Sequence, residues 1–141
     1  MTRFWITLDQ AVQSVYDCFQ FMEGGEIFVP KIPSIKIIDL AEAMAPHLPK
    51  EFCGIRPGEK LNELMISADD ARHTIEFGDY YVILPELAQD KPIPEVHASS
   101  SIKGKFVAAG FVYASHTNTD WLSQQDLQSF LASHHVQERL L

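Results

Sequence analysis

The amino-acid sequence predicts an α/β fold with short helices and few strands. Apolar side chains recur every three or four residues over 8–22, which is typical of an amphipathic helix. A short apolar run at 27–29 is typical of a strand, and Gly78-Asp79 separates two further strand-like runs. The 141 residues, of which 46% are hydrophobic, predict a single domain over 1–141.

The helix at 8–22 has the clearest start and stop signals. Thr7 and Gln10 have the spacing of a capping box, and Asp9 places a carboxylate in the first turn, where it interacts favourably with the helix dipole. The pair Gly24-Gly25 then ends the helix.

The strand at 27–29 is apolar on both faces. This pattern predicts a strand buried inside a parallel sheet, with hydrogen-bonding neighbours on both edges. The sequence supplies few strands that could be those neighbours. We therefore expect the chain to be one end of a larger α/β protein.

The rest of the chain predicts short elements separated by loops. Helical segments are predicted at 39–45, at a turn or two carrying Leu61, Leu64 and Met65, at 67–72, and from Ser123-Asp126 onward. An extended or turn segment is predicted at 35–38, and extended segments are predicted at 51–55, 74–77, 80–84 and 111–113. Residues 89–105, rich in serine and proline and without periodicity, predict a mobile loop, and 133–141 predict a frayed tail.

The composition disfavours two classes of partner. Eleven basic residues against nineteen acidic ones give 11 − 19 = −8, which disfavours nucleic acid and anionic membranes. No apolar run approaches the ~20 residues of a membrane helix, so we expect a cytoplasmic chain. The isolated Cys18 and Cys53 predict two reduced, buried thiols.

The pentapeptide Arg56-Pro57-Gly58-Glu59-Lys60 is the first candidate site. It places a guanidinium beside a stiff Pro-Gly turn, which is suited to holding phosphate oxygens. Glu59 would lie on the same side of the turn, able to accept hydrogen bonds from sugar hydroxyls. The alternative is a surface loop in which Arg56 pairs with a carboxylate.

Arg3 is the second candidate. It lies in an apolar opening, beside Phe4 and Trp5, so its charge needs a protein partner or a ligand. The alternative is an arginine whose stem covers the aromatic pair while its head reaches water.

The sequence contains no other catalytic, cofactor-binding or metal-binding pattern. The six histidines lack metal-ligand spacing, and no tyrosine has a lysine four residues on. A dinucleotide fingerprint, G-x-G-x-x-G, does not occur either.

Four segments, 1–7, 24–31, 54–61 and 110–122, match a family pattern in the same order. Together they resemble the C-terminal part of bacterial UDP-N-acetylglucosamine 4,6-dehydratases, over residues 1–88 and 106–131. The resemblance is nearest to the inverting enzymes of the pseudaminic acid pathway, in the extended short-chain dehydrogenase/reductase superfamily. It implies the C-terminal, substrate-binding portion of an extended Rossmann-type fold whose Rossmann core is missing here.

The resemblance also implies the chemistry of the full-length enzyme. Such enzymes bind NADP on an N-terminal Rossmann domain, oxidise the sugar at carbon 4, eliminate water across carbons 5 and 6, and return the hydride to carbon 6. The catalytic and cofactor residues would lie upstream of Met1, so the chain alone is expected to be inactive. A homo-oligomer is expected for the full-length enzyme.

By the same resemblance, Arg3 and Arg56 contact the diphosphate of a UDP-sugar, and Glu59 lies near the ribose. The alternative function is a non-catalytic module that binds UDP-sugars or docks onto a separate Rossmann chain. Such a module would fold alone, whereas part of a larger enzyme would expose the apolar face of the helix at 8–22.

Overall fold

A computed structural model describes residues 1–22, 24–85 and 104–133. Most of the predicted loop, 89–103, and most of the predicted tail, 134–141, lie outside the described residues. The contacts divide the chain into two compact units, each with its own core. Among the described residues, the first unit contains 1–5, 32–63 and 114–133, and the second contains 6–22, 24–31, 64–85 and 104–113.

The first unit joins a two-stranded sheet to two helices. Strand β1 (Thr2–Phe4) pairs antiparallel with β3 (Ser34–Lys36), which leads directly into α2 (Ile37–Met44). Helix α3 (Gln124–Ser133) packs on α2. The core of the unit is formed by buried side chains of β3 and both helices: Ile35, Ala43, Leu127 and Leu131.

The second unit contains a four-stranded antiparallel sheet in the order β2-β6-β5-β7. Its elements are α1 (Leu8–Phe21), β2 (Ile27–Pro30), β4 (Leu64–Ile66), a 3-10 helix (Asp70–His73), β5 (Thr74–Phe77), β6 (Tyr80–Ile83) and β7 (Lys105–Phe106). Ile75, Phe77 and Val82 form its buried core. The short β8 (Tyr113–Ala114) spans the chain boundary between the units.

Local signals in the sequence set several of these elements. The capping box of α1 is confirmed, since the Gln10 amide donates to Thr7 Oγ1 at 3.1 Å and the Thr7 amide donates to Gln10 Oε1 at 3.0 Å. Gly78, with φ +51°, turns the confirmed hairpin between β5 and β6. Hydrogen bonds from Ser123 to Asp126 start α3 and hold the pKa of that carboxyl below its usual value.

The prediction of a parallel, doubly covered strand at 27–29 is wrong. Strand β2 pairs antiparallel with β6 and forms an edge of the four-stranded sheet. Val29 is buried, but Ile27 is 59% exposed. Three consecutive apolar residues therefore specify neither the direction of a strand nor its burial on both faces.

The predicted helical turn at Leu61, Leu64 and Met65 is also wrong, because residues 64–66 form strand β4. The carbonyl of Leu61 accepts a hydrogen bond from the Thr2 amide at 2.9 Å. Glu63 uses both its backbone N–H and its carbonyl in hydrogen bonds with Ser115. Backbone groups committed to distant segments in this way cannot form the bonds of a local helix.

Two further expectations concern residues 51–55. The predicted extended segment has no regular secondary structure, and all five residues are exposed. Cys18 and Cys53 are both free thiols, but Cys53 is exposed, so the prediction that it is buried is wrong. Burial, together with the carboxylate of Asp17, raises the pKa of the half-buried Cys18 thiol.

Candidate functional site

The segment Arg56-Pro57-Gly58-Glu59 forms a tight turn. The Glu59 amide donates to the Arg56 carbonyl at 3.0 Å, and Gly58 adopts a φ of +80°. Proline followed by a glycine with positive φ is the sequence of a type II turn. The Glu59 carboxylate closes the turn from the other side, because its Oε2 accepts from the Arg56 amide at 3.1 Å. The turn is thus fixed by reciprocal bonds within four residues.

The side chains of Arg56 and Glu59 are both exposed on this turn. None of the ion pairs found among residues 1–22, 24–85 and 104–133 involves Arg56. The alternative in which Arg56 pairs with a protein carboxylate therefore has no counterpart in the described part of the chain. A guanidinium presented in this way offers its fork of N–H donors to an anion.

The turn belongs to the exposed segment 51–61, here called the Arg56 loop, and residues 61–63 form the base of this loop. Arg3 lies at this base, and hydrogen bonds hold its side chain there. Its Nη2 donates to the Lys60 carbonyl at 2.9 Å, and its Nη1 donates to the carbonyls of Thr2 and Leu61 at 2.7 and 3.4 Å. Its Nε lies 3.3 Å from Glu63 Oε1, and its side chain is 26% exposed. The structure therefore brings Arg3 to the loop that carries Arg56, where it contacts backbone groups directly after the turn.

Sequence reasoning missed three polar side chains at the base of the loop. Thr2 Oγ1 donates to Asn62 Oδ1 at 3.0 Å and lies 2.7 Å from Ser115 Oγ. Ser115 is fully buried. In the sequence Ser115 only follows the short apolar run 111–114, and nothing there marks it as a contact, so only the fold reveals that Ser115 meets β1 and the loop.

The described residues do not fit an NADP site. Dinucleotide binding of the Rossmann type uses parallel strands and a glycine-rich turn that leads into a helix. Here β1 pairs antiparallel with β3, and the four-stranded sheet is antiparallel throughout. The step from β3 into α2, at Lys36-Ile37, contains no glycine.

The described residues lack both a metal-binding cluster and a membrane-spanning helix. They contain no group of three or more His, Cys, Asp or Glu side chains arranged to hold a metal ion. None of their helices combines the length and the apolar character that crossing a membrane requires.

Comparison with known proteins assigns the chain to a family. A sequence profile described as polysaccharide biosynthesis protein matches residues 1–85. The chain belongs to this family. The chain is 49% identical over 128 residues to a UDP-N-acetylglucosamine 4,6-dehydratase (inverting) of Campylobacter jejuni, which confirms the resemblance seen in the sequence. It is also 34% identical to a UDP-glucose 4-epimerase of Rickettsia canadensis, over an alignment 146 positions long.

A solved structure shows which larger fold this chain is part of. The chain matches a solved structure of Pen from Bacillus thuringiensis with a TM-score of 0.76 and 28% identity, covering 96% of this chain and 40% of that one. The chain therefore forms part of a Rossmann-like fold of the short-chain dehydrogenase/reductase type. The matched segments cover 90% of this chain but 38% of the dehydratase, and 99% of this chain but 41% of the epimerase. The chain thus spans about two-fifths of the length of these relatives.

Proposed function

We propose that this chain forms the UDP-sugar-binding part of an enzyme that dehydrates UDP-N-acetylglucosamine to a 4-keto-6-deoxy sugar nucleotide with inversion at carbon 5. The pseudaminic acid pathway uses such a product. The 49% identity to an inverting dehydratase over 128 residues carries this proposal. NADP would bind to a Rossmann domain outside these residues and would supply the hydride chemistry.

The geometry of the Arg56 loop supports the binding role. In this proposal Arg56 donates to the diphosphate oxygens, since its guanidinium is exposed on a rigid turn. Glu59 Oε2 already accepts from the Arg56 amide, so its other carboxylate oxygen would accept from the ribose hydroxyls. Arg3 would also contact the diphosphate, in addition to the carbonyls of Lys60 and Leu61 and the Glu63 carboxylate that it already binds.

A chimeric enzyme tests this function. The matching 128-residue segment of the Campylobacter jejuni dehydratase is replaced by the segment from this chain. We expect the folded chimera to convert UDP-N-acetylglucosamine into the dehydrated product, with the inverted carbon 5 identified by NMR. A control chimera carrying the matching segment of the Rickettsia epimerase is expected to lack this activity. A folded but inactive chimera with this chain's segment would contradict the proposal.

Helix α1 supports a docking role for the second unit. One side of the helix faces the sheet, where Tyr80 donates to Asp17 at 2.7 Å and the rings of Phe21 and Phe77 lie 5.8 Å apart. On the helix's remaining surface, several large apolar side chains are exposed, as expected for part of a larger enzyme. They are Leu8, Val12, Val15, Tyr16 and Phe19, of which Leu8 and Phe19 are 79% and 72% exposed.

We propose that this apolar face packs against the Rossmann domain of the longer enzyme. The relatives contain more than half of their length outside the matched segment, which is enough chain for such a domain. An apolar stripe of this kind is typical of a surface covered by another part of a protein.

The effect of Phe19→Asp is expected to depend on the rest of the enzyme. In the chimera, the substitution should lower the thermal stability, because a covered phenylalanine contributes about 1.5–3 kcal/mol. In the isolated 141-residue chain it should leave the melting temperature nearly unchanged, because Phe19 is already exposed. Gln20→Asp, at an exposed position of the same helix, is the control. Equal effects of Phe19→Asp in both proteins would refute the docking proposal.

A further inference from the structure

A pair of hydroxyls, from the half-buried Thr2 and the buried Ser115, joins strand β1 to the base of the Arg56 loop. Ser115 Oγ lies 2.7 Å from Thr2 Oγ1 and accepts from the Glu63 amide at 2.9 Å. The Ser115 amide in turn donates to the Glu63 carbonyl at 2.9 Å. Three segments that are distant in sequence therefore meet at one side chain that is fully buried.

The hydrogens of this cluster can be placed from its geometry. Thr2 Oγ1 donates its single hydrogen to Asn62 Oδ1 at 3.0 Å. The hydrogen between the two hydroxyls must then come from Ser115, so donation runs from Ser115 to Thr2 and on to Asn62. Each hydroxyl both donates and accepts, and removal of either one leaves part-buried polar groups without a partner.

The bonds of this cluster lie directly after the loop that carries the turn. Residues 51–61 are exposed throughout, so no buried side chain anchors the loop within its own length. The next two residues, Asn62 and Glu63, are the ones that the hydroxyl pair binds. The Thr2 amide also donates to the Leu61 carbonyl at 2.9 Å. The anchoring of the loop is therefore concentrated at its base.

We infer that Thr2 and Ser115 are positioning residues, which hold the Arg56–Glu59 turn in the orientation that binds a nucleotide diphosphate. The inference rests on the proposed function for the identity of the ligand. Neither hydroxyl contacts the ligand, because both are committed to each other and to the loop base. Their role is to fix where the Arg56 guanidinium can reach.

Hydrogen exchange tests the anchoring without any ligand. Thr2→Val keeps the shape of the side chain but removes the hydroxyl that holds Ser115 Oγ. Because the Glu63 amide donates to Ser115 Oγ, we expect this amide to exchange faster in the full 141-residue chain. Thr2→Ser, which restores a hydroxyl, should return the slow exchange. Thr117→Val removes a hydroxyl that bonds to the Ala114 carbonyl in the same unit and should leave the loop unchanged. Ser115→Ala is a second variant with the expected result of Thr2→Val.

A double-mutant cycle tests the positioning role, with UDP as the probe and the chimeric dehydratase as the protein. We expect Thr2→Val to weaken UDP binding roughly three- to tenfold, as for the loss of one hydrogen bond. In an Arg56→Ala background it should cause no further weakening.

The outcomes separate the inference from the function on which it rests. Unchanged exchange in Thr2→Val, or an equal loss of affinity in the presence and absence of Arg56, would overturn the positioning role. Failure of the parent chimera to bind UDP would instead overturn the proposed function, and the exchange data would still decide whether the hydroxyl pair anchors the loop.

Discussion

Substitution of Arg56 by alanine is expected to weaken UDP-sugar binding by about 2–3 kcal/mol, or roughly 30- to 150-fold. The loss is large because a charge-assisted, two-point contact to phosphate would disappear from an exposed, rigid turn. The measurement is a calorimetric titration of UDP-N-acetylglucosamine into the chimeric dehydratase and its variant. Melting temperatures should match, since the Arg56 side chain is exposed and the turn is closed by backbone groups and Glu59.

One further variant separates geometry from charge, and another is a control. Arg56→Lys keeps the positive charge but loses the planar fork of donors, so its affinity should fall between those of the parent and Arg56→Ala. Arg72→Ala removes another exposed arginine, which pairs with Asp69 at 3.4 Å, and should leave the affinity unchanged. If Arg56→Ala and Arg72→Ala gave the same affinity, Arg56 would not belong to the site.

Residues that are close in sequence allowed the Arg56 turn to be predicted. Proline and glycine restrict the backbone locally, so the turn between Arg56 and Glu59 follows from four consecutive residues. The role of Arg3 could not be predicted in the same way. Its hydrogen bonds to the carbonyls of Lys60 and Leu61 join positions nearly sixty residues apart, and a backbone carbonyl leaves no mark in the sequence.

Errors in the predicted fold have a similar cause. The capping box of α1 and the hairpin at Gly78 are local and were predicted correctly. The direction of β2 is decided by its neighbour β6. A strand forms at 64–66 in place of the predicted helical turn, because the backbone of residues 61–63 is hydrogen-bonded to Thr2 and Ser115. Tertiary hydrogen bonds override a short apolar spacing, because such a spacing fits a helix and a strand equally well.

The largest effect on stability is expected from Leu127→Ala in the core of the first unit. Leu127 is fully buried and packs in one cluster with Ile35 of β3 and Ala43 of α2. Truncation of a buried leucine leaves a cavity and costs about 2–5 kcal/mol. The free energy of unfolding is measured by urea denaturation of the 141-residue chain. Leu48→Ala, at a 63% exposed position of the same unit, is the control and should change it by less than about 0.5 kcal/mol.

Leu127→Ala should also weaken the hydrogen bonds at the loop base, because the core and the loop base both contact the sheet formed by β1 and β3. Ile35 lies opposite Arg3 in the pairing of β3 with β1, and the amide of Thr2 in β1 donates to the Leu61 carbonyl. Loss of packing under Ile35 should therefore speed hydrogen exchange at the Thr2 amide together with the amides of α3. Faster exchange in α3 with an unchanged Thr2 amide would show that the loop base is stable without this core. It would then be held by the hydrogen bonds of Arg3, Thr2 and Ser115 alone.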